Sequence, residues 1–132
     1  TGLVALVLLL DQFTRNIYRG THRAFAGDSR ALALARRAIA AGRHRQMPAI
    51  HRVFHYLPLE HCEDPAIQDE CVQLFTALAA ETGTAAVDDF ARYAVAHRDV
   101  IARFGRFPHR NAVLGRSSTP EESAYLERHG GF

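Results

Sequence analysis

The chain has 132 residues and a mass of 14.7 kDa, which suits one domain that buries about two thirds of the surface its unfolded form exposes. Hydrophobic residues make up 48% and charged residues 23%, the ordinary balance of a globular protein. The apolar run at residues 3–10 is too short to span a bilayer and lacks a basic flank. We therefore expect no membrane partner and a cytoplasmic location.

The net charge of +2 conceals a segregation of charge along the chain. Residues 1–59 carry nine arginines and two acids, residues 60–89 carry eight acids and no arginine, and residues 90–132 carry seven arginines and four acids. Arginine suits fixed, bidentate recognition of carboxylate or phosphate, and the chain contains no lysine. A nucleic-acid partner is not expected, because the acidic middle can neutralise the basic flanks when the chain folds.

Helical periodicity occurs throughout the chain, and no alternating strand pattern is found. Capping residues, glycines and prolines set the expected boundaries of six helices. The predicted helices run from about Leu3 to Tyr18, from an N-cap at Asp28 to Gly42, from Pro48 to a stop at Pro58, from an N-cap at Asp64 to Gly83, from there to Gly105, and from a capping box at Thr119 onwards.

These lengths and short connections predict an all-α fold over residues 1–132, a single helical domain. We expect antiparallel helical hairpins in an irregular tetratricopeptide-like stack of about six helices. The chain begins inside an apolar helix with no cap before it, so we expect a further helical segment upstream. Cys62 and Cys71 lie among residues expected to be packed, and we interpret both as inert thiols.

The third predicted helix carries a possible metal motif that we do not favour. His51 and His55 have the i, i+4 spacing that can bind zinc from one helix face. No third ligand is specified by spacing, and the opposite face, with Ile50 and Leu57, is expected to form the core. We expect two exposed histidines and no metal or cofactor.

The end of the first helix, "DQFTRNIYR", places polar groups on one face of an otherwise apolar helix. The members of this face are Asp11, Gln12, Arg15, Asn16 and Arg19. Asp11 and Arg15 are spaced i, i+4 and can pair with each other. These residues form either part of a ligand site or an ordinary solvated helix end.

Two further stretches supply candidate acids and bases. The segment "PLEHCED" contains His61, Glu63 and Asp64. Asp64 is explained by its expected role as a helix N-cap, whereas His61 and Glu63 have no such structural role and are candidates for function. His97 lies on the apolar stripe of the fifth helix, where a hydrogen-bonded core histidine is the common alternative to a catalyst. Glu60 is more simply explained as part of an acidic, exposed connection.

The segment "FGRFPHRN" at residues 104–111 is expected to be a stiff turn, since Pro108 fixes its own φ and restricts Phe107. Four polar side chains project from it, namely Arg106, His109, Arg110 and Asn111. Preorganised arginines suit an anionic ligand, and a histidine beside them can exchange a proton near neutral pH. The alternative is that the arginines only pair with the acids of residues 60–89.

Taken together, "LLLDQFTRNIYRGTHRAF", "YLPLEHCED" and "HRDVIARFGRFPHRN…LGR…STPEE" resemble a bacterial family catalogued as domain of unknown function 924. The resemblance covers nearly the whole chain and implies an all-helical fold of the tetratricopeptide-like superfamily, with no established activity. It implies an upstream segment containing tryptophans, and a serine where this chain has Cys62. The motif positions are Asp11, Gln12, Arg15, Asn16, Arg19, His61, Glu63, Asp64, His97, Arg106, His109, Arg110 and Asn111.

Two functional hypotheses follow. In the first, three segments converge on a polar pocket for an anionic small molecule. Its candidate acid/base groups are His61, His97 and His109, and its candidate ligand-binding groups are Asp11, Arg15, Asn16, Arg19, Glu63, Arg106, Arg110 and Asn111. In the second, the chain is an interaction module for a protein or peptide partner, and its arginines and acids are structural pairs. A closed pocket of ligand size would favour the first, and an open groove the second. Whether the chain is an enzyme stays open.

Overall fold

The structure, a computed structural model, describes residues 2–132 and contains six α-helices and no strand within that range. The first, α1, is continuous but irregular, since the segments Gly2–Leu8 and Thr14–Ile17 are joined by a π-helical turn, Leu9–Phe13. The others are α2 at Asp28–Ala40, α3 at Ala49–Glu60, α4 at Pro65–Thr82, α5 at Ala85–Phe104 and α6 at Pro120–His129. The predicted all-α class is confirmed.

Several helix ends form through the residues that the sequence indicated. The Asp64 carboxylate accepts hydrogen bonds from two backbone N–H groups in the first turn of α4. Thr119 and Glu122 form a reciprocal capping box at the start of α6. Gly83 and Gly105 end α4 and α5 with positive φ, a backbone conformation that costs glycine least.

Two predicted boundaries are wrong. Asp28 is the first residue of α2 rather than its N-cap, and its carboxylate binds the Arg15 guanidinium at 2.8 and 2.9 Å instead of a backbone N–H. Pro58 lies inside the last turn of α3, which continues to Glu60. A proline this close to a helix end removes one hydrogen bond without ending the helix, and its position carries Glu60 into the protein interior.

Helix α3 lies at the centre of the fold, packed on α1, α2, α4 and α5, while α4 and α5 form an antiparallel hairpin across a two-residue connection. The core between them contains Val53, Leu59, Phe75 and Leu78, all fully or almost fully buried. A second, smaller cluster joins the end of α5 to α6 through Ile101, Phe107 and Tyr125. This arrangement brings the C-terminal end of α3 next to α1 and α5.

The expected orientation of α3 is also corrected. Ile50 is 53% exposed, whereas His55, expected at the surface, is completely buried against the core. His55 lies next to Ala35 of α2, and Ala31, Ala35 and Ala38 of that helix are all buried. None of the helices in residues 2–132 is long and apolar enough to cross a membrane.

Candidate functional site

A cavity of about 640 Å³ lies where α1, the end of α3 and the turn after α5 meet. Seven of the candidate acid/base and ligand-binding residues line it, together with Gln12, Phe25, Glu60 and Phe132. The seven are Arg15, Asn16, Arg19, His61, His97, His109 and Arg110. The volume is that of a typical small-molecule site.

Asp11 holds His61 from behind the cavity wall. Asp11 is 1% exposed, and its carboxylate lies 2.8 Å from Nδ1 of His61, although 50 residues separate the two in the chain. Burial alone would raise the pKa of Asp11, but the hydrogen bond and charge of His61 and the nearby Arg15 outweigh burial and lower it. An ionised Asp11 fixes the proton of His61 on Nδ1, which leaves Nε2 as the nitrogen able to exchange a proton in the cavity.

The π-helical turn of α1 positions Asp11. A π-helical turn inserts one extra residue into an α-helix and rotates the residues beyond it around the helix axis. Asp11 is at the middle of this turn, and the carbonyl of Leu10 beside it packs against Gly27, where a Cβ atom would come within 2.2 Å of the carbonyl oxygen. The turn therefore depends on a glycine in the neighbouring segment.

Glu60 is the acid that the sequence interpretation placed at the surface, and that expectation is wrong. It is 4% exposed, lines the cavity, and its Oε1 has no hydrogen-bond partner among residues 2–132. Its Oε2 lies 4.0 Å from Nε2 of His61 and 3.9 Å from Nε2 of His97. Burial, and then the charge of Asp11, raise the pKa of Glu60 to about 8, so the carboxyl is mainly protonated at neutral pH.

His97 is a neutral neighbour of Glu60. Its Nδ1 lies 2.7 Å from the carbonyl oxygen of Tyr93, so Nδ1 must carry the proton and Nε2 must be bare. Burial lowers the pKa of His97 to about 4, with smaller effects from the nearby His61, His109 and Arg110. His97 is therefore a hydrogen-bonded core histidine, one of the two alternatives predicted for it, and it also lines the cavity.

The cationic wall of the cavity is formed by three arginines in different environments. Arg15 forms an ion pair with Asp28. Arg19 donates a hydrogen bond to a neutral group, the side-chain oxygen of Asn16, at 3.0 Å. Arg110 is 7% exposed and donates to the carbonyl oxygen of His61 at 2.9 Å. Within residues 2–132, neither Arg19 nor Arg110 has a carboxylate within salt-bridge distance.

Arg110 is held rigidly. Its guanidinium lies 4.6 Å from the ring centroid of Phe25 and 4.7 Å from that of Phe107, and its Nε is buried without a partner in the described chain. Burial, followed by the charge of Arg15, lowers the pKa of Arg110 to about 10, which still leaves the group cationic at neutral pH. A cation fixed between two rings is preorganised for a planar or tetrahedral anion.

His109 and the last residues close the other side of the cavity. Burial and the charges of Arg110 and Arg15 lower the pKa of His109 to about 4, so this histidine is neutral. Gly131 packs on it so closely that an added Cβ would come within 2.6 Å of the His109 Cβ. The Phe132 ring stacks on His97 with centroids 3.6 Å apart, which gives the polar cavity an aromatic side.

Besides Asp11, three of the predicted ligand-binding residues lie outside this cavity lining and have internal partners. Arg106 donates twice to Glu122, Asn111 donates to the same carboxylate, and Glu63 accepts two hydrogen bonds from Arg116. Glu63 also accepts from the backbone N–H of Phe107 at 3.0 Å. These groups fix the turn from which Arg110 projects.

Within residues 2–132, neither Arg106 nor Arg110 forms the expected ion pair with an acid of residues 60–89. Arg106 pairs with Glu122 rather than with an acid of residues 60–89, and Arg110 pairs with a backbone carbonyl. Sequence inspection missed Glu60, Arg116 and Glu122 as members of this region. The capping box identified Glu122 as a structural residue, but nothing in the spacing indicated that it also binds the arginine of the preceding turn.

The described residues contain no group of three or more histidine, cysteine or acidic side chains arranged to hold a metal ion. In the group formed by Glu60, His61 and His97, Oε2 of Glu60 lies 4.0 and 3.9 Å from the Nε2 atoms of the two histidines. Donor atoms around a tetrahedral zinc are about 3.3 Å apart, given bonds of about 2.0 Å.

Cys62 is half-buried and Cys71 buried, and burial raises the pKa of both thiols.

Comparison with known proteins agrees with the helical architecture. A family model described as "Bacterial protein of unknown function (DUF924)" matches residues 1–130. A solved structure of a protein of unknown function from Agrobacterium tumefaciens is similar, with 44% sequence identity and a TM-score of 0.83. The similarity covers 96% of this chain and 67% of that one. No curated protein matches the chain.

Proposed function

We propose that this chain, which belongs to the bacterial DUF924 family, binds an anionic small molecule in the cavity beside His61. The observation that carries the proposal is that two arginines of the cationic wall, Arg19 and Arg110, have no carboxylate partner in residues 2–132. A buried guanidinium with an unused donor is costly unless an anion completes its coordination. Phosphate or carboxylate groups have the charge and the acceptor geometry to do so.

The surroundings of this wall restrict the ligand further. The cavity volume of about 640 Å³ is large enough for a metabolite and not only for a single inorganic ion. Phe25 and Phe132 supply apolar contact area, while Gln12 and Asn16 supply neutral hydrogen-bonding groups. We infer an organic anion with a polar body, held by its charged group at Arg19 and Arg110.

His61 is the group best placed for chemistry on such a ligand. Its Nδ1 is oriented by the buried Asp11, and its Nε2 has no hydrogen-bond partner in the described chain. An imidazole held in this way serves as a general base when a ligand hydroxyl or a water lies within hydrogen-bond reach. His97 and His109 are weaker candidates, because both have pKa values lowered to about 4 by burial and nearby cations.

A thermal-shift screen of phosphorylated and carboxylated metabolites, with inorganic phosphate and sulfate, tests the proposal. Arg19→Ala is the informative variant, because Arg19 is exposed and its removal should leave the fold intact. The loss of one charged hydrogen bond, about 1.5–3 kcal/mol, should weaken binding by more than about tenfold.

The matched control is Arg30→Ala, which removes the same charge from an exposed position on α2 outside the cavity. The ligand should stabilise wild type and Arg30→Ala equally at constant ionic strength, and Arg19→Ala far less. Stabilisation of all three proteins to the same extent would show that the anion binds elsewhere. If no anion stabilises wild type, the proposal is wrong.

A second candidate, a module that binds a protein partner, is favoured by one observation. Leu9, Phe13 and Ile17 follow each other along α1 and are 54%, 53% and 70% exposed. Large apolar side chains at four-residue spacing on an exposed helix are typical of contacts between proteins. Size-exclusion chromatography with light scattering tests self-association, which Phe13→Glu with Ile17→Glu should abolish if α1 mediates it.

A further inference from the structure

The cavity contains one acid whose placement the anion proposal does not explain. Glu60 is at the C-terminal end of α3, where the helix dipole disfavours a negative charge. Its carboxyl is buried, lines the cavity, and lacks a hydrogen bond at Oε1 within residues 2–132. An ionised carboxylate here would also repel the anion that the arginines are proposed to bind.

The groups around Glu60 disfavour its ionised form. From α1 it faces the charge of Asp11, which is itself committed to His61. From α5 it faces Nε2 of His97, which carries no proton. Nε2 of His61, the next residue in the chain, also lies near its carboxyl. The buried thiol of Cys71 lies on the α4 side. The cations of the region, Arg15 and Arg110, make their hydrogen bonds to other groups.

Asp11 and Glu60 are thus neighbouring carboxyls whose pKa values are shifted in opposite directions. Burial and the charge of Asp11 raise the pKa of Glu60 to about 8, while the bond to His61 helps to lower that of Asp11. Such a separation divides roles between neighbouring carboxyls, one ionised and one protonated. A protonated Glu60 is a hydrogen-bond donor, and the imidazole nitrogens of His97 and His61, at 3.9 and 4.0 Å from its Oε2, are too far away to accept its proton.

We propose that Glu60 binds the ligand as a neutral carboxylic acid, donating its proton to an oxygen of the anion held by Arg19 and Arg110. The inference rests on the anion site proposed above and adds a condition to it, namely that binding requires the protonated form of Glu60. Ionisation of Glu60 would remove the donor and place a negative charge against the ligand. The cavity is therefore a proton-linked anion site, which releases its ligand as the pH rises.

Sulfate is the probe that isolates this effect, because it stays doubly charged throughout the range tested. Its affinity for wild type and for Glu60→Gln is measured by isothermal titration calorimetry between about pH 6.5 and about pH 9.5, at constant ionic strength. Glutamine retains a hydrogen-bond donor and cannot ionise. Wild-type affinity should fall about tenfold per pH unit above about pH 8, relative to Glu60→Gln, whose affinity should not show this additional fall.

Both proteins share every other residue, so the comparison between them isolates the contribution of the Glu60 carboxyl. Glu127→Gln, an exposed acid on α6, is the matched control and should keep the wild-type profile. Parallel profiles for wild type and Glu60→Gln would overturn the role of Glu60 while leaving the anion site intact. A folded Glu60→Gln that binds no sulfate at any pH would also overturn it, since the neutral amide should suffice.

Two further results would contradict the proposal for different reasons. If EDTA abolishes sulfate binding and Zn²⁺ restores it, Glu60 acts with His61 and His97 as a metal ligand rather than as a proton carrier. If wild type binds no sulfate at any pH while remaining folded, the anion site fails together with this inference. Binding that persists after chelation and weakens above about pH 8 only when Glu60 is present would support both.

Discussion

Replacing Glu60 by glutamine should stabilise the unliganded protein, and the gain should grow with pH. The carboxyl has a pKa near 4.5 in the unfolded chain and about 8 in the folded one. Since the folded-state pKa is raised, the native state is favoured most below about pH 4.5 and loses stability as the pH rises through about 8.

The size of this effect follows from the separation of the two pKa values. Each pH unit above the unfolded pKa lowers the free energy of unfolding by about 1.4 kcal/mol, until the folded group ionises. At pH 7 the penalty is on the order of 3 kcal/mol, an upper limit because an ionised side chain can turn toward water. Glu60→Gln removes the penalty and conserves the shape of the side chain.

Urea unfolding of both proteins, followed by far-UV circular dichroism from about pH 5 to about pH 8, measures the difference. The two unfolding free energies should diverge with rising pH, with the variant more stable. Glu63→Gln is a control that should lower the free energy of unfolding instead of raising it. Burial alone would raise the Glu63 pKa, but hydrogen bonds from Arg116 and Phe107 outweigh burial and lower it, so its stabilisation is present above about pH 4.5 and lost on acidification. A Glu60→Gln protein that is less stable than wild type at every pH would show that Glu60 is ionised and paired.

Three further predictions concern the scaffold. Glu122→Gln should lower the free energy of unfolding by about 1.5–3 kcal/mol, because it replaces a buried acceptor of two hydrogen bonds from Arg106; an unchanged urea midpoint would contradict this. Gly27→Ala should cost about 1–3 kcal/mol or more in the same assay, since its Cβ would meet the Leu10 carbonyl oxygen at 2.2 Å; full stability would mean that the π-helical turn yields without cost. Cys71 is completely buried, so Ellman's reagent should modify at most one thiol in the native protein and two in urea; rapid modification of both under native conditions would refute the packing.

The helices were predictable because their signals are local. The cap at Asp64, the capping box at Thr119 and the glycine at 105 each act over three or four residues, which is the range that sequence inspection covers. The failures at Asp28 and Pro58 have a different origin. A tertiary partner, Arg15, competes for the Asp28 carboxylate, and burial of the α3 terminus keeps Pro58 inside the helix.

The cavity was predictable as a meeting of three segments but not as a set of chemical roles. His61, His97 and Arg110, which the sequence predicted to converge, all line the cavity. The pairing of Asp11 with His61 spans 50 residues and depends on a π-helical turn, for which the sequence contains no recognised signal. Glu60 was missed because exposed and buried acids look alike in a sequence, and only the path of α3 decides between them.

The turn after α5 shows why one motif supported two incompatible interpretations. Arg106 and Arg110 are four residues apart, a spacing that would put them on one side of a regular helix. Gly105 ends the helix and Pro108 begins a 3₁₀ turn, so Arg106 faces Glu122 while Arg110 faces the carbonyl of His61. The structural pair therefore fixes the turn, and the turn holds the second arginine in the cavity without a carboxylate. The Arg106–Glu122 ion pair and one arginine of the proposed anion site are therefore successive parts of one segment, and of its two arginines only Arg110 lines the cavity.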